Sequence, residues 1–131
     1  MTVTAMQIDP SLRSRAANFV PLTPVDFLRR AVEIYPDKPA VVAGAQTLTY
    51  RQLGAVVGCM ATALSRAGIV AGEVVSVIAT NSAEMLALHF AVPMIGAVLN
   101  AINTRLDADT IGYILDHAEN RLVIADAALA P

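Results

Sequence analysis

The order of apolar segments after residue 73 constrains the fold of this 131-residue chain more than any other feature. Val74–Ala79 is a largely β-branched run, typical of a strand buried on both faces of a sheet. Further buried-type strands are predicted at Ala97–Ile102 and Leu122–Ala125, with helices at 81–94 and Asp107–His117 between them. Short helical crossovers join parallel strands, so the pattern predicts an α/β fold with helices packed on a parallel sheet.

The earlier part of the chain predicts a helix and then a β-hairpin. Thr23 can cap the helix, Pro24 suits its first position, and Pro36 ends it. Two β-prone runs follow, and the three residues Gly44–Gln46 between them are predicted to form the turn of the hairpin.

The second helix has clear start and stop signals. Thr49 and Gln52 match a capping box, in which each side chain bonds the other residue's main-chain N–H. Gly68 supplies the left-handed residue that commonly follows the last helical turn. Within this helix, Gly54 and Gly58 could mark a close contact with another helix, and Cys59 is predicted to be a small core residue rather than a reactive thiol.

The segment Met85–Ile102 is nearly all apolar and about the length of a short membrane span. A buried helix followed by a buried strand is favoured over a membrane helix, because Pro93 and Gly96 together end helices more often than they continue them. Asn81 is the predicted N-cap of that helix, since the acidic Glu84 follows it three residues later.

Composition excludes several classes of protein. Hydrophobic residues make up 56% of the chain and charged residues 15%, which is incompatible with intrinsic disorder. The formal net charge is −2 and no large cluster of basic residues occurs, so no nucleic-acid partner is expected. A single cysteine cannot form an internal disulfide, which fits a cytoplasmic protein.

A search for chemistry finds candidate residues but assigns none of them a catalytic role. No phosphate-binding glycine loop and no nucleophile elbow are present. His89 is predicted to be a hydrogen-bonded core histidine, with a contribution to a ligand pocket as the alternative. His117 and the pair Asp107 and Asp109 are explained by favourable charge at helix ends. The only lysine, Lys38, is predicted to lie in a solvated loop.

Several short motifs, in a fixed order, resemble the adenylate-forming superfamily, which includes acyl-CoA synthetases, luciferases and peptide-synthetase adenylation domains. The motifs that carry the resemblance are Phe27-Leu28, 35–41, 48–53, 72–77, 81–84, 94–100, 103–106 and 114–118. The variant 99–104, together with 18–24, is similar to the branch that acts on fatty and other alkanoic acids.

The resemblance implies a two-step ligase reaction in the full-length family member. A carboxylate attacks the α-phosphate of ATP to give an acyl-adenylate and pyrophosphate, and coenzyme A then attacks the acyl carbon to give a thioester. Magnesium and basic side chains would stabilise the phosphate charge. The residues that do this in the family lie downstream of the matching segment, so no catalytic, cofactor-binding or metal-binding residue is assigned in this chain.

The expected organisation follows from the same resemblance. Residues 1–131 would form part of the N-terminal AMP-binding domain, with residues 1–17 as a flexible leader: a β-hairpin plus a parallel strand-helix-strand-helix-strand unit. The expected partner is the remainder of the ligase, in the same chain or in trans, and the chain alone is expected to be inactive. A non-catalytic small protein or split-enzyme half that binds through its open sheet remains the alternative, as does a homo-oligomer.

Overall fold

A computed structural model describes residues 22–129; the leader expected over residues 1–17 lies outside that range. The helices are α1 (Pro24–Ile34), α2 (Tyr50–Arg66), α3 (Ala83–Met94) and α4 (Ala108–His117), and a 3₁₀ turn follows at Ala127–Leu129. The strands are β1 (Pro39–Ala43), β2 (Gln46–Thr49), β3 (Val74–Ile78), β4 (Val98–Ala101) and β5 (Leu122–Ala125). This order confirms the predicted α/β architecture of a hairpin followed by a strand-helix-strand-helix-strand unit.

The parallel sheet has the strand order β4-β3-β5, so β3 is paired on both edges. Val75 and Val77 of β3 are completely buried, as the sequence predicted. The prediction that β4 is a buried strand is wrong: it is an edge strand, and Val98 is 51% exposed. In β5, Val123 is 42% exposed. Burial of these strands depends on strand order, which periodicity does not reveal.

The hairpin turn has two residues, not three. Ala43 pairs directly with Gln46, which leaves only Gly44 and Ala45 in the turn. Gly44 has a φ of +59°, and two-residue hairpin turns require positive φ at their first position. Gln46 therefore belongs to the strand that leads into α2.

Capping side chains fix where the helices begin. The Thr23 and Asp26 pair caps α1, and the Thr49 and Gln52 pair caps α2: the Thr49 N–H donates to Gln52 Oε1 at 2.8 Å. The N-cap of α3 is Ser82, whose Oγ accepts the Met85 N–H at 3.1 Å, so the prediction of Asn81 is wrong by one residue. The helix starts at Ala83, and only a residue directly before it can reach that N–H.

The core lies between α1, α2, α3 and one face of β3. Leu28, Val57, Val75 and Val92 are among its buried members. Within residues 22–129, none of the helices has both the length and the apolar character needed to cross a membrane. The apolar stretch beginning at Met85 instead divides into α3 and β4, as predicted.

Only one of the two α2 glycines marks a close helix contact. A Cβ at Gly54 would lie 2.8 Å from Val32 Cγ2 of α1, whereas a Cβ at Gly58 would meet nothing within 4 Å. Val32 is β-branched and partly buried, so its side chain has little freedom to move aside. The predicted helix–helix contact is thus confirmed at Gly54 and wrong at Gly58.

These two glycines make a matched pair for a stability test. We expect Gly58→Ala to raise the free energy of unfolding by about 0.5–1 kcal/mol, because alanine is the better helix former. Gly54→Ala gains the same propensity but overpacks against Val32, a cost of roughly 1–3 kcal/mol, so its net effect should be neutral or destabilising. Urea unfolding of both variants measures the difference, and equal stabilisation by both would contradict the close approach of α1 and α2.

Candidate functional site

The carboxyl ends of β3 and β5 lie side by side, and polar side chains follow each of them. The Asp126 N–H donates to the Ile78 carbonyl at 2.9 Å, which continues the strand pairing past β5. Thr80 Oγ1 donates to Asp126 Oδ2 at 3.2 Å, and Asp126 Oδ1 accepts the Ala128 N–H at 3.0 Å. Ligands of open α/β sheets bind at this end of the strands, so this edge is the first candidate site.

A hollow of about 290 Å³ opens at this edge, and we call it the carboxyl-edge hollow. It is lined by Val77, Ala79, Ser82, Glu84, Met85, Leu88, Ile124, Ala125 and Asp126. Its polar walls are hydroxyl and carboxylate groups, and none of the described residues that line it is Lys or Arg. Two carboxylates without a cation disfavour binding of phosphate, which needs donors or positive charge.

A second hollow, the α3 groove, lies on the other side of the α3 N-terminus and has a volume of about 420 Å³. It is lined by Pro24, Asn81, Ser82, Met85, Leu86, His89 and Phe90. Ser82 and Met85 line both hollows, so the first turn of α3 separates them. The walls of the groove are mainly apolar, which suits an apolar group rather than a charged one.

His89 is exposed on α3, so the prediction of a core histidine is wrong. Its Nδ1 lies 2.8 Å from the Met85 carbonyl one turn earlier, and its ring lines the α3 groove. The neighbouring Leu88 is buried, and the helical turn carries His89 to the other side of the helix. The alternative prediction, that His89 contributes to a ligand pocket, is compatible with its position in the wall of the α3 groove.

The charged residues predicted at the ends of α4 lie there. Asp107 is the N-cap, Asp109 lies in the first turn and His117 in the last turn. Hydrogen bonds from the Thr110 N–H at 2.9 Å and from the Thr110 hydroxyl at 2.8 Å lower the pKa of Asp107. The His117 ring stacks on Tyr113 with 5.7 Å between ring centroids.

Two further candidates lie on the surface. Lys38 is in a loop, with its Nζ 4.2 Å from the centroid of the Tyr35 ring. Cys59 is exposed on α2, so the prediction of a core cysteine is wrong: Val57 and Ala61, not Cys59, point into the core. Among residues 22–129, no group of three or more His, Cys, Asp or Glu side chains could hold a metal ion.

Thr80 and Asp126 were not singled out from the sequence. Their only sequence signal is position, because each follows a predicted strand at its carboxyl end. They are 46 residues apart and come together only because β3 and β5 are neighbours in the sheet.

Comparison with known proteins identifies the family. Residues 28–131 match the model of the AMP-binding enzyme family, and the chain therefore belongs to that family. Its α/β fold, with one antiparallel hairpin and one parallel three-stranded sheet, is that of a part of the N-terminal adenylate-forming domain.

Several curated relatives of the chain are acyl-CoA ligases. The chain is 47% identical over 115 residues to 2-methylpropanoate–CoA ligase CCL4 of Humulus lupulus, covering 88% of this chain and 21% of the relative. It is 46% identical to two peroxisomal Arabidopsis thaliana enzymes, butyrate–CoA ligase AAE11 (88% of this chain, 20% of the relative) and benzoate–CoA ligase (84% and 19%). The chain thus spans about a fifth of the length of the curated relatives it matches.

The structural comparison agrees with the sequence comparison. The chain resembles the inhibitor-bound N-terminal domain of FACL13 from Mycobacterium tuberculosis with a TM-score of 0.79 and 32% sequence identity. The match covers 82% of this chain and 27% of that domain. At this identity the agreement supports a shared arrangement of the helices and strands, including the hairpin and the parallel sheet.

The cap of α4 predicts a dependence of stability on pH. The folded-state pKa of Asp107 lies below its usual 3.8, so its stabilising effect is present above that pH and is lost as pH falls through the lower value. We expect Asp107→Asn to flatten the fall in stability between about pH 5 and pH 2, measured by urea unfolding across that range. Asp109→Asn is the control in the same turn, and an equal flattening would assign the effect to helix-end charge rather than to the cap.

Proposed function

We propose that this chain is the N-terminal scaffold segment of an ATP-dependent CoA ligase that acts on fatty or other alkanoic acids. The observation that carries the proposal is the family match over residues 28–131, joined to acyl-CoA ligase relatives at 46–47% identity. Two of those relatives are named for short alkanoic acids, 2-methylpropanoate and butyrate. A third relative, at a similar identity, is named for benzoate.

In the proposed whole enzyme, a carboxylate oxygen bonds to the α-phosphorus of ATP and pyrophosphate leaves. The sulfur of coenzyme A then bonds to the acyl carbon, and AMP leaves. ATP and coenzyme A would be the co-substrates, and Mg²⁺ would neutralise phosphate charge. The described residues lining the two hollows offer no Lys or Arg to a triphosphate, so no step is assigned to them.

In the proposed enzyme, this segment provides structural support and no catalytic group. It holds β3 between two neighbours and sets α3 beside the carboxyl end of the sheet, where residues from elsewhere in the ligase could complete a site. We propose that the 131-residue chain by itself binds neither ATP nor coenzyme A. For the whole protein we propose a cytoplasmic location, although two relatives are named as peroxisomal.

A second function has support from the exposed surface. Among the described residues, Val98 on the edge strand and Tyr113 on α4 are 51% and 67% exposed, and α4 has no buried residue. An open sheet edge with apolar surface is a pairing surface. The chain could therefore act as a split-enzyme half or a partner-binding protein that covers this surface by assembly, including assembly with a second copy.

A chimera separates the scaffold proposal from the alternatives. In the chimera, residues 28–129 would replace the matching segment of the Humulus lupulus 2-methylpropanoate–CoA ligase. We expect the chimera to retain ATP–pyrophosphate exchange that depends on a carboxylic acid, because the substituted segment is structural and contributes no catalytic residue. The 131-residue chain alone, measured in parallel, should give no exchange.

The outcomes are distinct. Exchange catalysed by the chain alone would overturn the proposal that it is inactive, and a folded but inactive chimera would overturn its role as an equivalent scaffold. Mixing the chain with the Humulus lupulus ligase lacking that segment tests the split-enzyme alternative, which requires activity to return in trans.

The choice of acid is tested separately on the whole protein. ATP–pyrophosphate exchange with butyrate but not benzoate supports the alkanoic assignment, and the reverse preference would contradict it.

A further inference from the structure

The helix α3 is apolar on all sides, with Glu84 and His89 as its only ionisable residues. A helix of this composition is normally buried all round. It packs against α1, α2 and β4, but its remaining face, which forms the wall of the α3 groove, is open. On that face Leu86 is 37% exposed, and Met85 and Phe90 are only partly buried. An apolar group lying in the groove would complete the burial of α3.

The described part of the chain begins beside this groove. Pro24, the first residue of α1, lines the groove, and Leu22 is only two residues before it. The Thr23 N–H and the Thr23 hydroxyl donate to Asp26 Oδ2 at 3.2 Å and 2.7 Å, and these bonds fix how the chain enters α1. Thr23 has extended backbone angles, and Leu22 is 80% exposed. The residues that precede Leu22 are therefore tethered at the edge of the groove.

The four residues at positions 18–21 match the groove in length and composition. They span at most about 13–14 Å when extended, and the α3 wall of the groove runs from Ser82 to Phe90, about 12 Å along the helix axis. Phe19 is the only aromatic residue in the first 26 positions. Pro21 has no main-chain N–H that an apolar groove would leave without a partner, and it disfavours helical backbone in the residue before it.

We propose that residues 18–21 lie along the α3 groove, with the Phe19 ring against Met85 and Leu86. The short tether gives this segment a high effective concentration at the groove, so a small apolar contact is enough to hold it there. The described lining of the groove contains no Asp, Glu, Lys or Arg, which favours this uncharged segment over the charged residues further upstream. This inference is independent of the proposed ligase function, because its tests do not measure catalysis.

A double-mutant cycle tests the docking by urea unfolding of the full chain. Phe19→Ala and Leu86→Ala remove the two sides of the proposed contact. We expect Phe19→Ala to raise the unfolding equilibrium constant about fivefold in the unsubstituted protein but less than about twofold in the Leu86→Ala protein, because residues in contact are coupled. Leu12→Ala is the matched control upstream of the docked residues, and it should change the constant by less than about twofold in both backgrounds.

Nuclear Overhauser contacts in the unsubstituted protein are the second measurement, which remains informative where a variant does not fold. We expect contacts between the Phe19 ring and the methyl groups of Met85 and Leu86. A mixture of isotope-labelled and unlabelled chains separates contacts within one chain from contacts between two copies.

Four results would overturn the proposal. They are additive effects of Phe19→Ala and Leu86→Ala, an equal coupling of Leu12→Ala to Leu86→Ala, absence of the ring contacts, and ring contacts that occur only between copies. A shift of the Leu86 methyl signals on addition of butyrate, without ring contacts, would instead assign the groove to a separate apolar ligand.

Discussion

The rest of the described structure depends on the complete enclosure of β3. Both edges of the strand are paired and its three central side chains are fully buried, so β3 contacts the sheet neighbours and the helical core at once. Val75 and Val77 join α2 and α3 in one hydrophobic cluster, and Ser76 joins β4 and β5 in one polar cluster. Apolar burial provides most of the cohesion of such a strand, whereas directional hydrogen bonds specify its alignment.

The sequence predicted features that depend on neighbouring residues. The caps at Thr23 and Thr49 were found because a cap and the N–H it accepts are three residues apart. The buried character of β3 was found because a short run rich in valine and isoleucine favours a strand covered on both faces. The hairpin was found too, although its turn was one residue too long because Gln46 has no strong strand preference.

Features that depend on distant residues were missed. Whether β4 is central or at an edge depends on strand order. The exposure of Val98 therefore could not be predicted from the apolar sequence of β4. Cys59 and His89 lie in apolar helices, but their exposure depends on which face meets α1, α3 or the sheet. Thr80 and Asp126 are ordinary loop residues until β5 is placed next to β3. For the same reason, the carboxyl-edge hollow could not be predicted from local patterns.

In the proposed ligase, the residues that line the two hollows suit a supporting role better than phosphoryl chemistry. Phosphoryl chemistry requires cations or N–H donors around developing negative charge. The carboxyl-edge hollow instead contains two carboxylates and a serine hydroxyl, and the α3 groove is largely apolar. Ser76 is hydrogen-bonded to both Asn100 and Asn120 within the sheet. In the proposed ligase, this segment would hold its part of the sheet in place for groups contributed from elsewhere, and its identity of 46–47% to ligases named for both alkanoic and aromatic acids fits that role.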